Sequence, residues 1–211
     1  MATIPDYLVP SRLAKRADYD KDTIYAILDE ALVCTISYAV ENRPYSIPTA
    51  FARFGDKLYI HGSVGSHFIR ALETGTPVCI SVTLMDALVV AKSAFHHSVN
   101  YRSVIVFSRA EKVEPHAEKE EALMWVVNKI VPNSWDYLRP MKQNEVRKTT
   151  VLSFSLAEAS AKLRSGMPID DEEDLALPIW SGLIPLETKR GTPIPDESSQ
   201  FIALPTHLKG A

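Results

Sequence analysis

The sequence is poor in the features that mark several protein classes. Only two of its 211 residues are cysteine and eight are glycine, which argues against a disulfide framework. No apolar run reaches the roughly 18 residues that a membrane-spanning helix needs, and Met1–Asp6 lacks the charged-then-apolar order of a signal peptide. A net charge of −3 is not that of a general nucleic-acid-binding protein. We therefore expect a cytoplasmic protein that binds neither membranes nor nucleic acids, with Cys34 and Cys79 as buried thiols.

Common catalytic and metal-binding motifs are also missing. The chain has no G-x-S-x-G, so hydrolase chemistry fits poorly, and it has neither H-E-x-x-H nor C-x-x-C. His96 and His97 are adjacent, and adjacent residues of a strand point to opposite faces, so the two do not easily share one metal ion. We expect no metal site.

What is present is the composition of an ordinary globular protein, with 46% hydrophobic and 23% charged residues. We expect one main domain over residues 1–188 and a Pro-rich C-terminal tail over 189–211. The acidic run 170–174 is typical of a solvated loop. Segment 177–187 is too apolar for a free tail, so we expect it to pack on this domain or on a partner subunit.

The hydrophobic pattern predicts a mainly β protein with flanking helices. Apolar residues recur at helical spacing in 20–32 and 116–131, and a short helix is predicted at 66–74. Segments rich in β-branched and aromatic residues, separated by turn residues, predict six strands at 33–40, 45–54, 57–62, 77–84, 87–92 and 103–113. Another strand is expected at 149–156. This spacing favours an antiparallel barrel over a βαβ series.

Two segments are dense in groups that bind ligands. In the first, His61–Arg70, a strand end is followed by a glycine-containing loop, and Ser66 precedes a helix. Exposed amides, a hydroxyl, His67 and Arg70 form a plausible phosphate cradle; the alternative is a turn in which Ser66 is only a helix cap. The second, Ser93–Val104, places two His, an Asn, a Tyr and an Arg before an apolar strand, which suits a planar ligand better than it suits a solvated loop.

These segments, in this order, resemble the pyridoxamine 5′-phosphate oxidase-like split-barrel proteins. The match is closest to the flavin-nucleotide-binding branch, which is related to nitroimidazole-resistance proteins. The similarity covers roughly residues 12–187, and its most specific parts are 24–31, 58–63, 93–104 and 158–162. The resemblance implies a six-stranded antiparallel split β-barrel that forms a homodimer, with FMN in clefts at the subunit interface and a small-molecule substrate.

The resemblance also implies roles for particular positions. The strand Ser46, Ile47, Pro48 and Thr49 would lie along the flavin ring and offer it backbone groups. Tyr59 and His61 would follow the ribityl chain, and Ser66, His67 and Arg70 would hold the phosphate. The site would be completed near the interface by Asn100, Tyr101, Arg102, Ser103 and Trp180.

One departure concerns the phosphate. Many relatives carry Arg or Lys after the phosphate-site serine, and here the residue is His67. Because a phosphate favours a charged imidazole, we expect affinity for FMN to fall as the pH rises through the range in which imidazoles lose their proton.

The function implied by the resemblance is an FMN-dependent oxidoreductase that transfers hydride or electrons at flavin N5. The Arg-containing motif with which true oxidases hold pyridoxamine phosphate is missing; Pro178–Gly182 stands there instead. The alternative function is a non-catalytic carrier or sensor of flavin, or of haem with an exposed His as axial ligand. Deazaflavin use, or an interaction protein with a vacant cleft, is a weaker alternative.

Overall fold

A computed structural model describes residues 5–209, so most of Met1–Asp6 lies outside the described residues. The described helices are α1 (Lys21–Glu30), α2 (His67–Glu73), α3 (His116–Ile130) and α4 (Gln143–Lys148). The strands are β1 (Ala17–Asp18), β2 (Val33–Val40), β3 (Arg43–Ala50), β4 (Ala52–Phe54), β5 (Lys57–Ser63), β6 (Pro77–Val90), β7 (Ser98–Lys112), β8 (Thr149–Ser155), β9 (Ala159–Arg164) and β10 (Gly182–Pro185). Among residues 5–209, no helix is long and apolar enough to cross a membrane.

The strands form one antiparallel sheet in the order β3-β2-β6-β7-β8-β5-β4. Strand β9 pairs with β7 and β1, and β10 pairs with β6. The expectation of a mainly antiparallel β protein with flanking helices is confirmed. The sequence pattern predicts seven strands, six in the barrel and one more at 149–156, whereas the described residues contain ten.

The difference in strand number has local causes. Segments 77–84 and 87–92 were predicted as separate strands, with Met85-Asp86 as a turn, yet they form the single strand β6. The register with β7 shifts between Met85 and Ala87, so Asp86 is the extra residue of a β-bulge and the strand continues. The predicted strand 45–54 is divided into β3 and β4, and β1, β9 and β10 are additional. Strands β1 and β10 are only two and four residues long, and such short pieces give little pattern to detect.

The main core lies between the sheet and helices α1 and α2. Helix α1 is capped by the Asp20 carboxylate, which accepts a hydrogen bond from the Thr23 amide at 3.0 Å. Its apolar face, as predicted, buries Ile24, Ile27 and Leu28 against the sheet. The largest fully buried side chains of the core are Phe51, Phe154, Ile27, Leu28, Ile36, Leu58, Ile60, Ile69, Leu72, Ile80, Leu152 and Val89.

The two cysteines and the tail show how the rest of the chain packs. Both thiols are free; Cys34 is buried and Cys79 is half-buried. Beyond residue 188, Arg190 donates to the Ile130 carbonyl at 3.1 Å, and the His207 ring lies 4.2 Å from that of Tyr137. The tail therefore touches the α3 side of the domain at two points.

Lys129 joins helix α3 to the end of α1. Its Nζ donates to the Leu28 carbonyl at 2.6 Å and lies 3.5 Å from the centre of the Phe51 ring. The amine thus satisfies a carbonyl in the last turn of α1 and makes a cation–π contact. Burial lowers the pKa of Lys129 to about 8.

This shift predicts a pH dependence of stability. Because the pKa of Lys129 is lower in the folded chain than in the unfolded one, the unfolded chain binds more protons between pH 8 and about 10. Wild type should therefore gain free energy of unfolding relative to Lys129→Met as the pH rises through that window. Urea denaturation of both proteins at about pH 7, below that window, and at about pH 9.5, near its upper end, measures the gain. A constant difference between them would contradict the assignment.

Candidate functional site

The turn after β5 is built around Gly62 and Ser63. A Cβ on Gly62 would lie 2.6 Å from Cγ1 of Ile69, which is buried in the core, so only glycine lets α2 pack this closely. The Ser63 hydroxyl accepts from the Gly65 amide at 3.2 Å, and the Ser63 carbonyl accepts from the Ser66 amide at 2.9 Å. These contacts fix the loop in a single compact turn.

Helix α2 opens directly after this turn. The Ser66 hydroxyl accepts from the Ile69 amide at 3.5 Å, so it is a helix cap, as the alternative interpretation of this segment had it. The helix has only seven residues, so its dipole is weak. Attraction for a phosphate would therefore rest mainly on His67 and Arg70, which are both exposed.

His61 and Arg70 flank the same turn. The Arg70 guanidinium donates to the Gly65 carbonyl at 3.3 Å, which holds it over the loop and leaves its other N–H groups available. The His61 ring keeps exposed surface, yet desolvation by the surrounding protein lowers its pKa. At neutral pH His61 is therefore mostly a neutral donor and acceptor of hydrogen bonds.

Strand β3 forms one end of the main sheet path and pairs only with β2 among the described residues. Pro44 and Pro48 have no N–H to donate to β2, so their backbone groups face the outer edge of the strand. Ser46 lies midway between them, and because the direction of the backbone groups alternates along a strand, its N–H and C=O face the same edge. The outer edge thus offers the N–H and C=O of Ser46 to a ligand. The Ser46 side chain hydrogen-bonds to that of Ser37 at 2.9 Å.

An aromatic stack joins this edge to α2. The Tyr38 ring lies 5.3 Å from Tyr45 on β3, in a stacked arrangement, and 5.9 Å from Phe68 on α2. Tyr38 therefore bridges the Tyr45 end of β3 and helix α2, the two elements that carry most of the first group of predicted residues. We call it the β3–α2 group: Ser46, Ile47, Pro48, Thr49, His61, Ser66, His67 and Arg70.

Tyr59 lies apart from that group. Its ring is buried under α3 and contacts Trp125 edge-on, with 5.1 Å between ring centres. Burial, with a smaller effect of Glu118, raises the pKa of Tyr59. Strand alternation explains this placement, because Leu58 and Ile60 point into the main core and Tyr59 points to the opposite face.

The second group of predicted residues flanks the second half of β6. We call it the β7 group: Asn100, Tyr101, Arg102, Ser103 and Trp180. Asn100 is buried, donates to the Gly166 carbonyl at 3.1 Å and accepts from Arg164. The Ser103 hydroxyl donates to the Lys162 carbonyl at 3.1 Å. These two side chains therefore link β7 to β9 and to the loop after β9.

Arg102 is the centre of an ion cluster. Its guanidinium binds Glu30 at the end of α1 and lies 2.7 Å from the carboxylate of Asp86, the bulged residue of β6. The carboxylates, Glu30 first, raise the pKa of Arg102, and Arg102 in turn lowers that of Glu30. The cluster borders a cleft of about 1000 Å³ between β2, β6 and residues 186–190. The charge of Arg102 is therefore largely neutralised inside the chain.

Trp180 lies beside β10, on the other edge of β6 from β7. Its indole covers Gly182, where a Cβ would come within 2.9 Å of the ring, and 63% of the residue is exposed. The segment is held by Lys92, whose Nζ donates to the Leu177 and Ile179 carbonyls at 2.6 and 2.8 Å. The apolar segment thus packs on its own domain and leaves the indole open.

The loop 93–98 adds histidines next to this segment. His97 Nδ1 lies 2.9 Å from the Ser93 carbonyl, and His96 Nε2 lies 3.2 Å from the Asp171 carboxylate. The acidic run is thus partly bonded, since Asp170 also accepts from the Lys92 amide at 2.7 Å. In the part of the chain that is described, no three His, Cys, Asp or Glu residues are arranged to hold a metal ion.

One chain does not bring the two groups together. Strands β2 and β6 separate β3 from β7. Pro48 pairs with Thr35 on β2, and Thr35 pairs with Ser81 on β6. Asn100 pairs with Ala87, which lies six positions further along β6 and about 20 Å away along an extended strand. Across residues 5–209, no hydrogen bond or ion pair links the β3–α2 group to the β7 group.

Comparison with known proteins relates the whole chain to solved structures. The family model for pyridoxamine 5′-phosphate oxidase matches residues 20–163. A flavocytochrome, Anf3, from Azotobacter vinelandii is 38% identical with a TM-score of 0.90, and the match covers 97% of this chain and 95% of that one. An FAD- and haem-binding protein from Mycobacterium smegmatis is 32% identical with a TM-score of 0.88, covering 92% of this chain and 96% of that one.

A more distant similarity supports the fold alone. A nitroimidazole-resistance protein homologue from Bacteroides thetaiotaomicron is 23% identical with a TM-score of 0.60, and the match covers 69% of this chain and 85% of that one. No curated protein sequence matches significantly.

The close approach of Gly62 and Ile69 gives a prediction. Gly62→Ala should lower the free energy of unfolding by about 1–3 kcal/mol, the usual range for overpacking, because the new methyl group would displace a buried side chain. The matched control is Gly65→Ala in the same turn, where the nearest atom lies 3.7 Å from the added Cβ. Chemical denaturation of the three proteins measures the difference, and equal losses in the two variants would contradict this account of the turn.

Proposed function

The chain belongs to the pyridoxamine 5′-phosphate oxidase-like family, and we propose that it is a flavin-dependent oxidoreductase acting on a small molecule. The observation that carries the proposal is the β3–α2 group, in which an open strand edge lies next to a turn with exposed cationic side chains. A flavin needs a planar ring seat with backbone partners and a separate place for its phosphate. The two full-length relatives, a flavocytochrome and an FAD- and haem-binding protein, support the same conclusion.

The residues present fit a flavin nucleotide. The outward N–H and C=O of Ser46 suit the polar edge of the ring, and His67 and Arg70 suit a phosphate. When bound, the flavin would supply hydride or electron transfer through its N5 atom. The chain's part is to orient the ring along β3 and to place a substrate over it.

The identity of the nucleotide is part of the proposal. The resemblance of the sequence favours FMN, whereas one relative at 32% identity is named for FAD. Both share the ring and the first phosphate, which are the parts that the β3–α2 group would hold. We propose a flavin of this kind, and FMN is the expected form. FAD would need extra contacts to hold its second phosphate.

The separation of the two groups supports a site shared by two chains. In a homodimer with twofold symmetry, the β7 group of one chain would face the β3–α2 group of the other. Exposed large apolar residues mark the surface that a second chain would cover. They are Leu175, Ile179, Trp180, Ile194, Phe201 and Ile202.

Haem binding is a second candidate, because both full-length relatives are named for haem or cytochrome character. His97 would hold a haem iron through its Nε2 atom. The Ser93 carbonyl only accepts hydrogen bonds, so Nδ1 at 2.9 Å must carry the proton and Nε2 is left with its lone pair. The exposed Phe95 and Trp180 rings offer apolar surface nearby.

The absorption spectrum of the freshly purified protein tests these proposals. We expect flavin bands, and denaturation should release FMN or FAD, which chromatography tells apart. NAD(P)H-dependent reduction of a quinone or nitro compound would support the enzyme, and a flavin that is never reduced would support a carrier or sensor.

The same spectrum tests haem. A Soret band that changes position in His97→Ala, and not in His116→Ala, would support His97 as a ligand; His116 is an exposed control on α3. A colourless protein that takes up neither added flavin nor haem would contradict both proposals.

A further inference from the structure

A second cleft, separate from the Arg102 cleft, opens where the chain enters the sheet before α1. Pairing of β1 with β9 aligns Ala17 with Lys162 and so brings the preceding Arg16 to the end of β9. The cleft has a volume of about 430 Å³. Its walls are of two kinds, cationic (Lys15, Arg16, Arg164) and apolar (Leu163, Met167, Ile169).

The cations of this cleft outnumber its one carboxylate. Among residues 5–209, no carboxylate forms an ion pair with Lys15, Arg16 or Arg164. Asp18 also lines the cleft, but its two oxygens accept from the Asp20 amide at 2.9 Å and from the Thr23 hydroxyl at 3.1 Å. That carboxylate is therefore engaged with the start of α1.

Two of these cations lie close to each other. Burial lowers the pKa of Arg164, and the neighbouring charge of Arg16 lowers it further, although an arginine stays protonated at any ordinary pH. Like charges brought together without an ion-pair partner repel each other. An anion placed between them removes that repulsion, which is the physical reason for such an arrangement to attract one.

Arg164 is also held in place from inside the protein. Its guanidinium donates to the amide oxygen of Asn100, which is 5% exposed and donates in turn to the Gly166 carbonyl at 3.1 Å. Tyr101 stands directly across from Arg164 on β7. One N–H group of the fork is thus fixed on a buried acceptor, and the remaining donors are pre-oriented toward the cleft.

We propose that this cleft binds the anionic end, a carboxylate or a phosphate, of a ligand whose apolar part lies on Met167 and Ile169. These two side chains are 67% and 78% exposed, so they form an open apolar shelf beside the charges. The anion comes either from a substrate or from the distal phosphate of a cofactor. The site itself does not depend on the proposed flavin function.

Titration calorimetry at low ionic strength tests the site with phenyl phosphate and benzoate, and with neutral benzyl alcohol as the control ligand. We expect both anions to bind and benzyl alcohol not to bind. Arg16→Gln should weaken the anions by about tenfold or more, as expected for a hydrogen bond to a charged group. Arg147→Gln, an exposed arginine of α4 outside the cleft, should leave binding unchanged.

A second variant guards against loss of structure. Arg164→Lys keeps the charge but removes the fork of N–H donors, so it should weaken the binding of phenyl phosphate. Arg16→Gln should leave the fold and its melting temperature unchanged. Absence of anion binding, equal binding of benzyl alcohol, or full affinity in Arg16→Gln would each overturn the proposal.

Retention of flavin by Arg16→Gln separates the two sources of the anion. Loss of flavin together with loss of phenyl phosphate binding assigns the cleft to a cofactor phosphate. Retained flavin with lost phenyl phosphate binding assigns it to a second ligand. The calorimetric result stands even if the flavin proposal fails, because binding of the probes needs no flavin.

Discussion

Arg102 binds two carboxylates at once, and its ion cluster lies at the point where the sheet divides. Glu30 brings the end of α1 to it, and Asp86 is the bulged residue of β6. Along one edge of β6, strand β2 pairs before the bulge and β10 pairs after it. The side chains of Arg102, Glu30 and Asp86 are 31%, 53% and 36% exposed, so the cluster is a partly exposed network of ion pairs rather than a buried one. It fastens the end of α1 to the bulge that divides the two halves of β6.

This division separates the residues that the sequence marks as functional. The β3–α2 group lies on the side of β2, and the β7 group lies beside the second half of β6. Inside one chain, the polar atoms of Asn100, Arg102 and Ser103 are bonded to the protein itself. Their effect on a ligand would come through the surfaces they shape and through the partner chain. The β3–α2 group, in contrast, keeps an open edge and exposed cations.

Much of the fold could be predicted from the sequence where the pattern was long and regular. Helices α1 and α3 followed from apolar residues at helical spacing, and the turn at Gly62 and the cap at Ser66 followed from residue type. Met85-Asp86 was expected to end a strand, because nothing local shows that Arg102 would bind Asp86 across the bulge. The placement of Tyr59 under α3 also depends on which face of β5 meets which helix. The cluster of Arg16 and Arg164 joins positions almost 150 residues apart, and only the pairing of β1 with β9 reveals it.

A mixed-dimer experiment tests most directly the claim that two chains build one flavin site. One variant carries His67→Ala and Arg70→Ala, and the other carries Trp180→Ala; each alone should retain little flavin. When the two are co-expressed, random pairing gives mixed dimers with one intact site, so flavin should return to about a quarter of the wild-type content per chain. If flavin does not return although mixed dimers form, the site belongs to a single chain and the account is contradicted.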